Sequence, residues 1–382
     1  EHGQVIEILQ AIGCVVSGPE TSADGYVQVA VQPPSWRPDL RDPADLVEEV
    51  LRLIGYDAIP ATLPVAPAGR GLTLPQRLRR RIGNALAGAG FVEVLTYPFM
   101  SDDDADALGL APDGAQGAQG AARPSTRLAN PISEAEPYLR SVMLPGLAGA
   151  ARRNLARGTT DIGIFEMGSV FRGRCSGPRI FLGVDGPPTE RDWAALEAML
   201  PEQHARVAGL MMGAASSAGW WGSARPYDWG DAVAVAQIIA QAVGLHLQVQ
   251  QGADPAFHPG RCAALSIQAG QGTSDTAMTN ARVDVGVAGE LHPRTCERLG
   301  LPPRTCAFDL DVDALFRAAS EIRPAPQISS HPVAKEDLAL VVPVEVAAAD
   351  VAASLARGAG DLLESVRLFD VFTGPQVPNG HR

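Results

Sequence analysis

The sequence predicts an α+β protein built as three consecutive blocks, with a largely antiparallel sheet in the central one. Two observations lead to this prediction. Short β-rich runs in the central block follow one another through loops and not through regular crossover helices, which favours antiparallel pairing. A Pro/Gly-rich joint, LPVAPAGRGLTLP, closes the first block, because its prolines and glycines cannot continue a helix or a central strand. The length of 382 residues is enough for two or three domains.

Composition and charge exclude several classes of protein. The formal net charge of −12 argues against a bulk electrostatic nucleic-acid binder, which would be basic. No apolar run approaches the length of a transmembrane helix, so we expect no membrane association. The cysteines are odd in number and lack a CxxC pair, which argues against a disulfide framework or a zinc site and is typical of a cytoplasmic protein. They are Cys14, Cys175, Cys262, Cys296 and Cys306.

The first block, residues 1–63, contains the most informative helix signal. The chain begins with helical sequence that ends at Gly13, and an extended run, YVQVAVQPPSW, follows. Asp42 suits the N-cap of the next helix, Pro43 its first turn and Asp45 a capping box, while Gly55 supplies the stop. One apolar stripe of this helix should pack on a core: Leu46, Val47, Val50, Leu51 and Ile54.

The opposite face of that helix is acidic. Asp45, Glu48 and Glu49 stand at helical spacings that bring their carboxylates onto one face, and Asp39 precedes them on a segment that can fold back. Four hard oxygen ligands without His or Cys suit magnesium, with water or a second chain completing the shell. The alternative is an ordinary solvated acidic face.

The second block, residues 72–318, predicts a mixed helix and sheet domain. It begins with a helix over 75–90 and the β-rich run FVEVLTYPF, and a further helix is predicted at DAVAVAQIIAQAVG. The stretch APDGAQGAQGAARPS has the composition of a surface loop. Later strands are predicted at IGIFEMGSVF, RVDVGVAGEL and CAFDLDV.

The third block, residues 326–382, predicts the βαβ opening of a ferredoxin-like domain. KEDLALVVPV and ESVRLFDVF read as strands, and AAADVAASLARGAG between them reads as a helix. The block has fewer than the roughly 90 residues such a domain needs. The sequence therefore predicts a partial domain.

Several spaced strings resemble the beta chains of bacterial phenylalanyl-tRNA synthetases. PSWRPDL and DLVEEVLRLIGYDAIP are similar to the family's winged-helix-like domain. ANPISEAEPYLRSVMLPGL, GIFEMGSVF, HPGR and GELHP are similar to motifs of its central domain and occur in the family's order, whereas YDWGDAVAVA matches only loosely. The resemblance implies a winged-helix-like domain, then a class II synthetase-like antiparallel sheet flanked by helices, then the partial ferredoxin-like βαβ unit.

The resemblance also implies a function. Such a beta chain docks a catalytic alpha chain in an (αβ)2 heterotetramer and helps to bind tRNA(Phe), while ATP is bound on the alpha chain. Asp39, Asp45, Glu48 and Glu49 match the family's magnesium ligands at the junction with the alpha chain. The chain would lack the family's N-terminal tRNA-binding and editing domains and the end of its anticodon-binding domain.

The central domain is expected to be catalytically inactive. IFEMG stands where an active synthetase carries an arginine motif, and CAFDLDVDAL stands where a Gly-rich segment ending in Glu-Arg would lie. Phosphoryl charge would therefore go unmatched by fixed cations. The helix 75–90 and the run 91–97 resemble the interface motif of this fold class, which implies partner contacts at Leu78, Ile82 and Leu86.

Other residue patterns carry weaker signals. His258 and His292 each precede a proline without a nucleophile motif nearby, which is more typical of structural histidines than of catalytic ones. The densest basic patch lacks interleaved aromatic residues, which favours a solvated face or an acidic partner over RNA. It comprises Arg77, Arg79, Arg80 and Arg81.

Two other functions stay open at this point. A free-standing nucleic-acid-binding regulator built on the first block should be basic on its recognition helix, whereas the helix here is acidic. An inactive paralogue that no longer binds an alpha chain would share every motif above. The sequence does not separate that paralogue from a functional subunit.

Overall fold

The computed structural model describes residues 2–21, 25–65, 68–69, 71–110, 126–173, 186–268, 282–322, 325 and 328–382. It divides into two compact units, Glu1–Gly71 and Leu72–Arg382. The low-complexity stretch 111–125 lies outside the described residues. Within the described ranges, every helix is too short or too polar to cross a bilayer.

The first unit packs two helices against a two-stranded hairpin. Its elements are α1 (His2–Ala11), β1 (Val15–Thr21), β2 (Val27–Gln32) and α2 (Pro43–Ile54). The two strands pair antiparallel, with an irregularity in register near Ser17. A small core joins the elements and contains Leu9, Cys14, Leu40 and Val50.

Helix α2 begins and ends where local sequence signals predict. The Asp45 carboxylate accepts hydrogen bonds from the backbone N–H groups of Arg41 and Asp42, each at 2.8 Å, and satisfies two donors at the helix start. Gly55 follows the helix at φ 107°, a conformation that favours glycine. The apolar stripe is only partly covered, because Val50 is buried while Val47 is 57% exposed.

The second unit is a seven-stranded sheet with helices on both faces. Its helices are α3 (Leu74–Gly88), α4 (Asp102–Ala107), α5 (Leu144–Leu155), α6 (Glu190–Glu197), α7 (Trp229–Ala242), α8 (Pro293–Leu299), α9 (Val312–Ala318) and α10 (Ala348–Ala359). Its strands are β3 (Val92–Glu93), β4 (Phe99–Met100), β5 (Tyr138–Leu139), β6 (Ile162–Arg172), β7 (Glu202–Met212), β8 (Ala214–Ser216), β9 (Arg225–Pro226), β10 (Gln248–Gln251), β11 (Phe257–Gln268), β12 (Arg282–Leu291) and β13 (Cys306–Asp311).

The large sheet confirms the prediction of a mostly antiparallel arrangement. Its strand order is β10-β11-β12-β13-β7-β6-β3, and β4-β5 and β8-β9 form separate two-stranded ribbons. Neighbouring strands of the large sheet run antiparallel except for β3, which pairs in parallel with β6 at one edge. The predicted strands at IGIFEMGSVF, RVDVGVAGEL and CAFDLDV correspond to β6, β12 and β13.

Two apolar cores lie on opposite faces of this sheet. Successive residues of a strand point to opposite faces, and Ile164 and Phe165 of β6 accordingly belong to different cores. Helices α3 and α7 cover the core that contains Phe165. Helices α5 and α8 cover the core that contains Ile164. At Gly209 a side chain would overlap the ring of Phe308, so this glycine permits close packing on the first of these faces.

The third predicted block differs from expectation. Helix α10 forms, but KEDLALVVPV and ESVRLFDVF are not hydrogen-bonded strands. A strand requires a hydrogen-bonded partner, and the first segment has only a short one: Val342 exchanges two backbone hydrogen bonds with Arg382, and Val344 donates one to Gly380. Many apolar side chains of both segments are exposed, including Leu338 and Phe369 at 61% and 71%. The structure therefore does not form the two predicted strands at these positions.

Candidate functional site

The acidic face of α2 carries an arginine–carboxylate cluster. The guanidinium of Arg37 lies between Asp39 and Glu49, with Nη2 at 2.7 Å from Asp39 Oδ2 and 3.1 Å from Glu49 Oε1. Arg52 Nη2 donates to Glu49 Oε2 at 2.8 Å. Both carboxylates are thus neutralised by arginines of the chain itself.

The electrostatics of the cluster follow from these contacts. Hydrogen bonds from Arg37 and then Arg52 lower the pKa of Glu49 to about 2. A hydrogen bond from Arg37 likewise lowers the pKa of Asp39. The pKa of Asp45 is lowered by the backbone N–H groups that it caps. These three carboxylates are therefore ionised at neutral pH, and each already has a partner.

As arranged, the four predicted magnesium ligands do not form a metal site. Asp45 is engaged in capping, Glu48 is exposed, and Arg37 fills the space between Asp39 and Glu49. Across the described ranges, no cluster of three or more His, Cys, Asp or Glu side chains could hold a metal ion. Magnesium ligation needs several oxygens directed at one point, and in this arrangement the oxygens of these four residues do not converge.

The leucine and isoleucine side chains predicted to contact a partner lie inside the chain. Leu78, Ile82 and Leu86 of α3 are fully buried and belong to the core that α7 shares. Their helical spacing correctly indicates a buried face, but that face packs on this chain's own sheet and helix. The expectation that these three residues contact a partner is corrected accordingly.

One of the exposed apolar surfaces lies next to α3, along the segment 92–99. Val92, Leu95 and Tyr97 are 62%, 85% and 78% exposed. The ring of Tyr97 stacks on that of Phe99, with centroids 6.0 Å apart and planes 10° from parallel. The segment starts with β3, which forms one edge of the large sheet. We call Val92, Leu95 and Tyr97 the docking edge.

A buried polar network contacts the inner side of the segment that carries the docking edge. The side chains of Arg140 and Glu166 are each only 4% exposed, and Arg140 Nη2 lies 3.0 Å from Glu166 Oε1. Thr96 Oγ1 donates to Glu166 Oε2 at 2.6 Å and accepts from Arg140 Nη1 at 3.0 Å. Arg140 Nε also donates to the carbonyl of Ser169 at 2.9 Å. The network therefore joins the 92–99 segment, the end of β5 and strand β6.

Two glycines allow this network to form. A side chain at Gly146, in the first turn of α5, would overlap the hydroxyl of Thr96. A side chain at Gly168 on β6 would overlap the guanidinium of Arg140. All three of Arg140, Gly146 and Gly168 lie within the strings LRSVMLPG and IFEMG, so the sequence signal was present. Its structural role was not readable, because the pairing is tertiary.

A second group of charges lines a cleft on the same side of the sheet as α5. Arg206 Nε donates to Asp309 Oδ1 at 2.8 Å. Burial lowers the pKa of Arg172 and raises that of Asp254. Among the described residues, Arg172 Nε is buried and lacks a hydrogen-bond partner. Sequence reasoning missed these residues, because no local motif marks them.

Both histidines considered in the sequence have structural roles. His258 Nδ1 accepts from the N–H of Gly260 at 3.1 Å. His292 Nδ1 caps α8 by accepting from the N–H of Arg294, also at 3.1 Å. The basic patch is divided between roles. Arg77 pairs with Glu321, and Arg79 donates to the carbonyl of Met167, while Arg80 and Arg81 are exposed.

Family models match three consecutive parts of the chain. Residues 1–56 match a tRNA synthetase B5 domain. Residues 59–312 match the phenylalanyl tRNA synthetase beta chain CLM domain. Residues 329–382 match a ferredoxin-fold anticodon binding domain. The central match alone covers about two thirds of the chain.

Curated relatives are similar over the whole chain. The phenylalanine–tRNA ligase beta subunit of Streptomyces avermitilis is 46% identical over 385 residues, an alignment that covers 100% of this chain and 44% of the relative. The corresponding subunit of Thermobifida fusca is 48% identical and aligns with 98% of this chain and 43% of its own length. The chain thus spans less than half the length of these relatives.

Two solved structures show slight similarity to the chain. Two pyrrolysyl-tRNA synthetase structures from Desulfitobacterium hafniense match with TM-scores of 0.38 and 0.39 and identities of 12% and 13%. They cover 62% and 63% of this chain, and this chain covers 64% and 67% of theirs. Similarity at this level does not establish a shared fold.

Proposed function

Because the chain belongs to the phenylalanyl-tRNA synthetase beta-chain family, we propose that it serves as a non-catalytic subunit of a phenylalanine–tRNA ligase. It docks a catalytic alpha chain and helps to bind tRNA(Phe), in a cytoplasmic (αβ)2 heterotetramer whose alpha chains bind ATP. Residues 1–63, 72–318 and 326–382 act as a winged-helix-like interface domain, a class II synthetase-like domain and part of an anticodon-binding domain.

The observation that carries this proposal is the docking edge. Three large apolar side chains on one short segment expose well over half of their surface. Side chains of this kind are enriched at the centres of protein–protein interfaces, so their exposure indicates a binding surface. The edge strand β3 is only two residues long, so a partner must recognise the side chains more than the backbone. An alpha chain covering this edge would bury Leu95 and Tyr97 together.

The charges of the central domain support a non-catalytic role. Arg140 and Arg206 are both committed to carboxylates of the chain, Glu166 and Asp309. This leaves Arg172 as the arginine of the cleft whose buried Nε is unpaired among the described residues. A phosphoryl-transfer site needs cations free to meet developing charge, and each such group that is lost costs ~10²–10³ in rate. We expect no phenylalanine-dependent exchange between pyrophosphate and ATP from the chain alone.

Co-expression with a phenylalanyl-tRNA synthetase alpha chain tests the docking proposal. We expect the two chains to co-elute in size-exclusion chromatography. Leu95→Ser should weaken the complex by roughly ten- to a hundredfold, since it removes an apolar contact worth about 1.5–3 kcal/mol when fully buried. Leu362→Ser is the matched control, because Leu362 is also a leucine and is 94% exposed on the final segment. It should leave binding unchanged.

Three results would contradict the proposal. Failure of every alpha chain to bind would favour an inactive paralogue. Exchange activity from the purified chain, after contamination by host enzyme is excluded, would contradict the non-catalytic role. Equal effects of Leu95→Ser and Leu362→Ser would mean that the alpha chain binds elsewhere, and would reject the docking edge as its binding site.

Magnesium binding at Asp39, Asp45, Glu48 and Glu49 stays a proposal. The ion would have to replace Arg37 between two carboxylates, so we expect negligible binding by the chain alone and stronger binding once an alpha chain is docked. Titration with Mn²⁺ as a paramagnetic substitute would measure both states.

Substitution at the acidic face completes the magnesium test. Replacing Glu48 and Glu49 with Gln should weaken assembly in magnesium and leave the circular dichroism spectrum intact. Glu20→Gln, on the exposed hairpin strand β1 of the same unit, is a matched control that should have no effect. If neither chelation nor the double substitution changes assembly, these residues form only a solvated acidic face.

A further inference from the structure

We propose that Thr96 is a positioning residue, through which the buried Arg140–Glu166 pair holds the docking edge in its binding conformation. The proposal rests on the function proposed above, because the docking edge is where the alpha chain is expected to bind. The proposal assigns a role to Thr96, Arg140 and Glu166, whose side chains do not face that partner.

The backbone of the segment alternates between the two sides. Val94 and Thr96 are partly buried, whereas Leu95 and Tyr97 between and beyond them are exposed. Alternation of this kind means that the inward side chains fix the direction of the outward ones. Thr96 is the polar member of the inward set and lies between the two most exposed side chains of the edge.

The side-chain hydrogen bonds of Thr96 hold the segment more strongly than its backbone pairing in β3. We call these hydrogen bonds the anchor. Strand β3 pairs with β6 through only two residues, and Val94 adds one backbone hydrogen bond, to the carbonyl of Phe165, at 2.8 Å. Beyond that point the segment leaves the sheet. The hydroxyl of Thr96 then makes two hydrogen bonds to charged groups, which are about twice as strong as neutral ones.

The other side of the anchor is fixed by the fold. Arg140 donates its backbone N–H to the carbonyl of Pro98 at 2.9 Å, and its own carbonyl accepts from the N–H of Phe171 at 2.9 Å. Its side chain reaches Glu166 and the carbonyl of Ser169 on β6. The anchor is therefore attached to β6, an internal strand of the large sheet.

The positioning matters because ordering a flexible segment on binding reduces affinity. A segment that is already held in its bound conformation avoids that loss of conformational entropy. Thr96 contributes to binding in this way without contacting the partner, since its hydroxyl is directed at Glu166 and Arg140.

The test compares three substitutions in the 382-residue chain. Thr96→Val keeps the shape of the side chain and removes both hydrogen bonds, while Thr96→Ser keeps the hydroxyl. Gly146→Ala disturbs the same contact from α5, because its methyl group would overlap the Thr96 hydroxyl. Thr305→Val is the matched control: Thr305 is fully buried in the same unit, and its hydroxyl donates to the carbonyl of Pro302 at 2.7 Å.

Two readouts separate positioning from general stability. Hydrogen exchange of the amides in 92–99, measured by mass spectrometry on the chain alone, reports the order of the segment. Affinity for the alpha chain reports its consequence. We expect Thr96→Val and Gly146→Ala to accelerate exchange in 92–99 and to weaken binding on the order of tenfold, about 1.4 kcal/mol. Thr96→Ser should retain wild-type values, and Thr305→Val should lower stability without changing either readout.

Three outcomes would overturn the proposal. One is wild-type exchange of 92–99 in Thr96→Val. Another is an equal loss of affinity in Thr305→Val, which would make the effect one of stability. A third is accelerated exchange with unchanged affinity, which would make the order of the segment irrelevant to docking. If the wild-type chain binds no alpha chain, the proposed function fails, and the exchange comparison still decides whether Thr96 holds the segment.

Discussion

Removing only one of the two buried charges, of Arg140 or of Glu166, should destabilise the second unit far more than removing both. Both side chains are 4% exposed, and the charged atoms lie 3.0 Å apart. Removing one partner of a buried pair leaves the other charge uncompensated, which costs about 3–5 kcal/mol. Arg140→Met also removes the donors to Ser169 and Thr96, so we place it at the upper end of that range.

The double substitution provides the decisive comparison. Methionine at both positions replaces the pair by apolar side chains of similar length and leaves no buried charge. Replacement of a whole buried pair is often nearly neutral, so the double variant should lose well under the sum of the single losses. We expect a coupling free energy of about 3 kcal/mol or more between the two sites.

Urea unfolding followed by circular dichroism measures each variant. The slope of free energy against urea concentration should stay constant, so that shifts of the midpoint report stability alone. Arg127 and Glu134 supply an exposed ion pair at 3.0 Å in the same unit as a control cycle, for which the coupling should be below about 1 kcal/mol. Additive losses for Arg140 and Glu166 would refute the reasoning, because they would mean that neither charge depends on the other.

Three further predictions concern other parts of the chain. The folded pKa of Glu49, about 2, lies below its ordinary 4.5, so the stabilisation it provides is complete above pH 4.5 and disappears as the pH falls towards 2; NMR titration should find this pKa, and Arg37→Gln should raise it. Burial raises the pKa of Cys306 to about 12, so at pH 8 only ~1 in 10⁴ of its thiols is ionised, and a disulfide reagent should label it only after unfolding. Gly209→Ala should destabilise by about 1–3 kcal/mol in urea unfolding, because its methyl group would overlap a buried phenylalanine ring. Gly88→Ala, at a helix end with open space, should be neutral or slightly stabilising.

Local signals carried the sequence predictions that the structure confirms. Capping and glycine termination depend on residues a few positions apart, and α2 accordingly begins at Pro43 and ends before Gly55. The long strands β6 and β12 follow their β-rich runs almost to the residue. For these elements, interactions between residues close in sequence are strong enough to determine where the element begins and ends.

Periodicity did not reveal what covers a buried face. The spacing of Leu78, Ile82 and Leu86 requires that the inner face of α3 be buried, and a partner chain or the chain itself would satisfy it equally. The covering helix α7 comes about 150 residues later in the sequence. The exposed side chains that follow α3, such as Leu95 and Tyr97, carry no periodic signal over so short a segment.

Tertiary charge pairing was also unreadable from the sequence. Asp39 and Glu49 have the spacing expected of metal ligands, but whether an oxygen faces an ion or an arginine depends on where Arg37 folds back. Arg140 and Glu166 are 26 positions apart and meet only because β5 and β6 are brought together. The strings that contain them identified the family, while the contacts explain why those residue types are needed.

The edges of the large sheet have a consequence for solubility at high concentration. The long strands β6, β7, β11 and β12 are all internal, and the sheet ends in β3 and β10, which are two and four residues long. Short edges offer few unpaired backbone groups on which another molecule's strand could grow. At high concentration, copies of the chain should therefore associate reversibly through the exposed side chains of Val92, Leu95 and Tyr97, and not through ordered pairing of sheet edges.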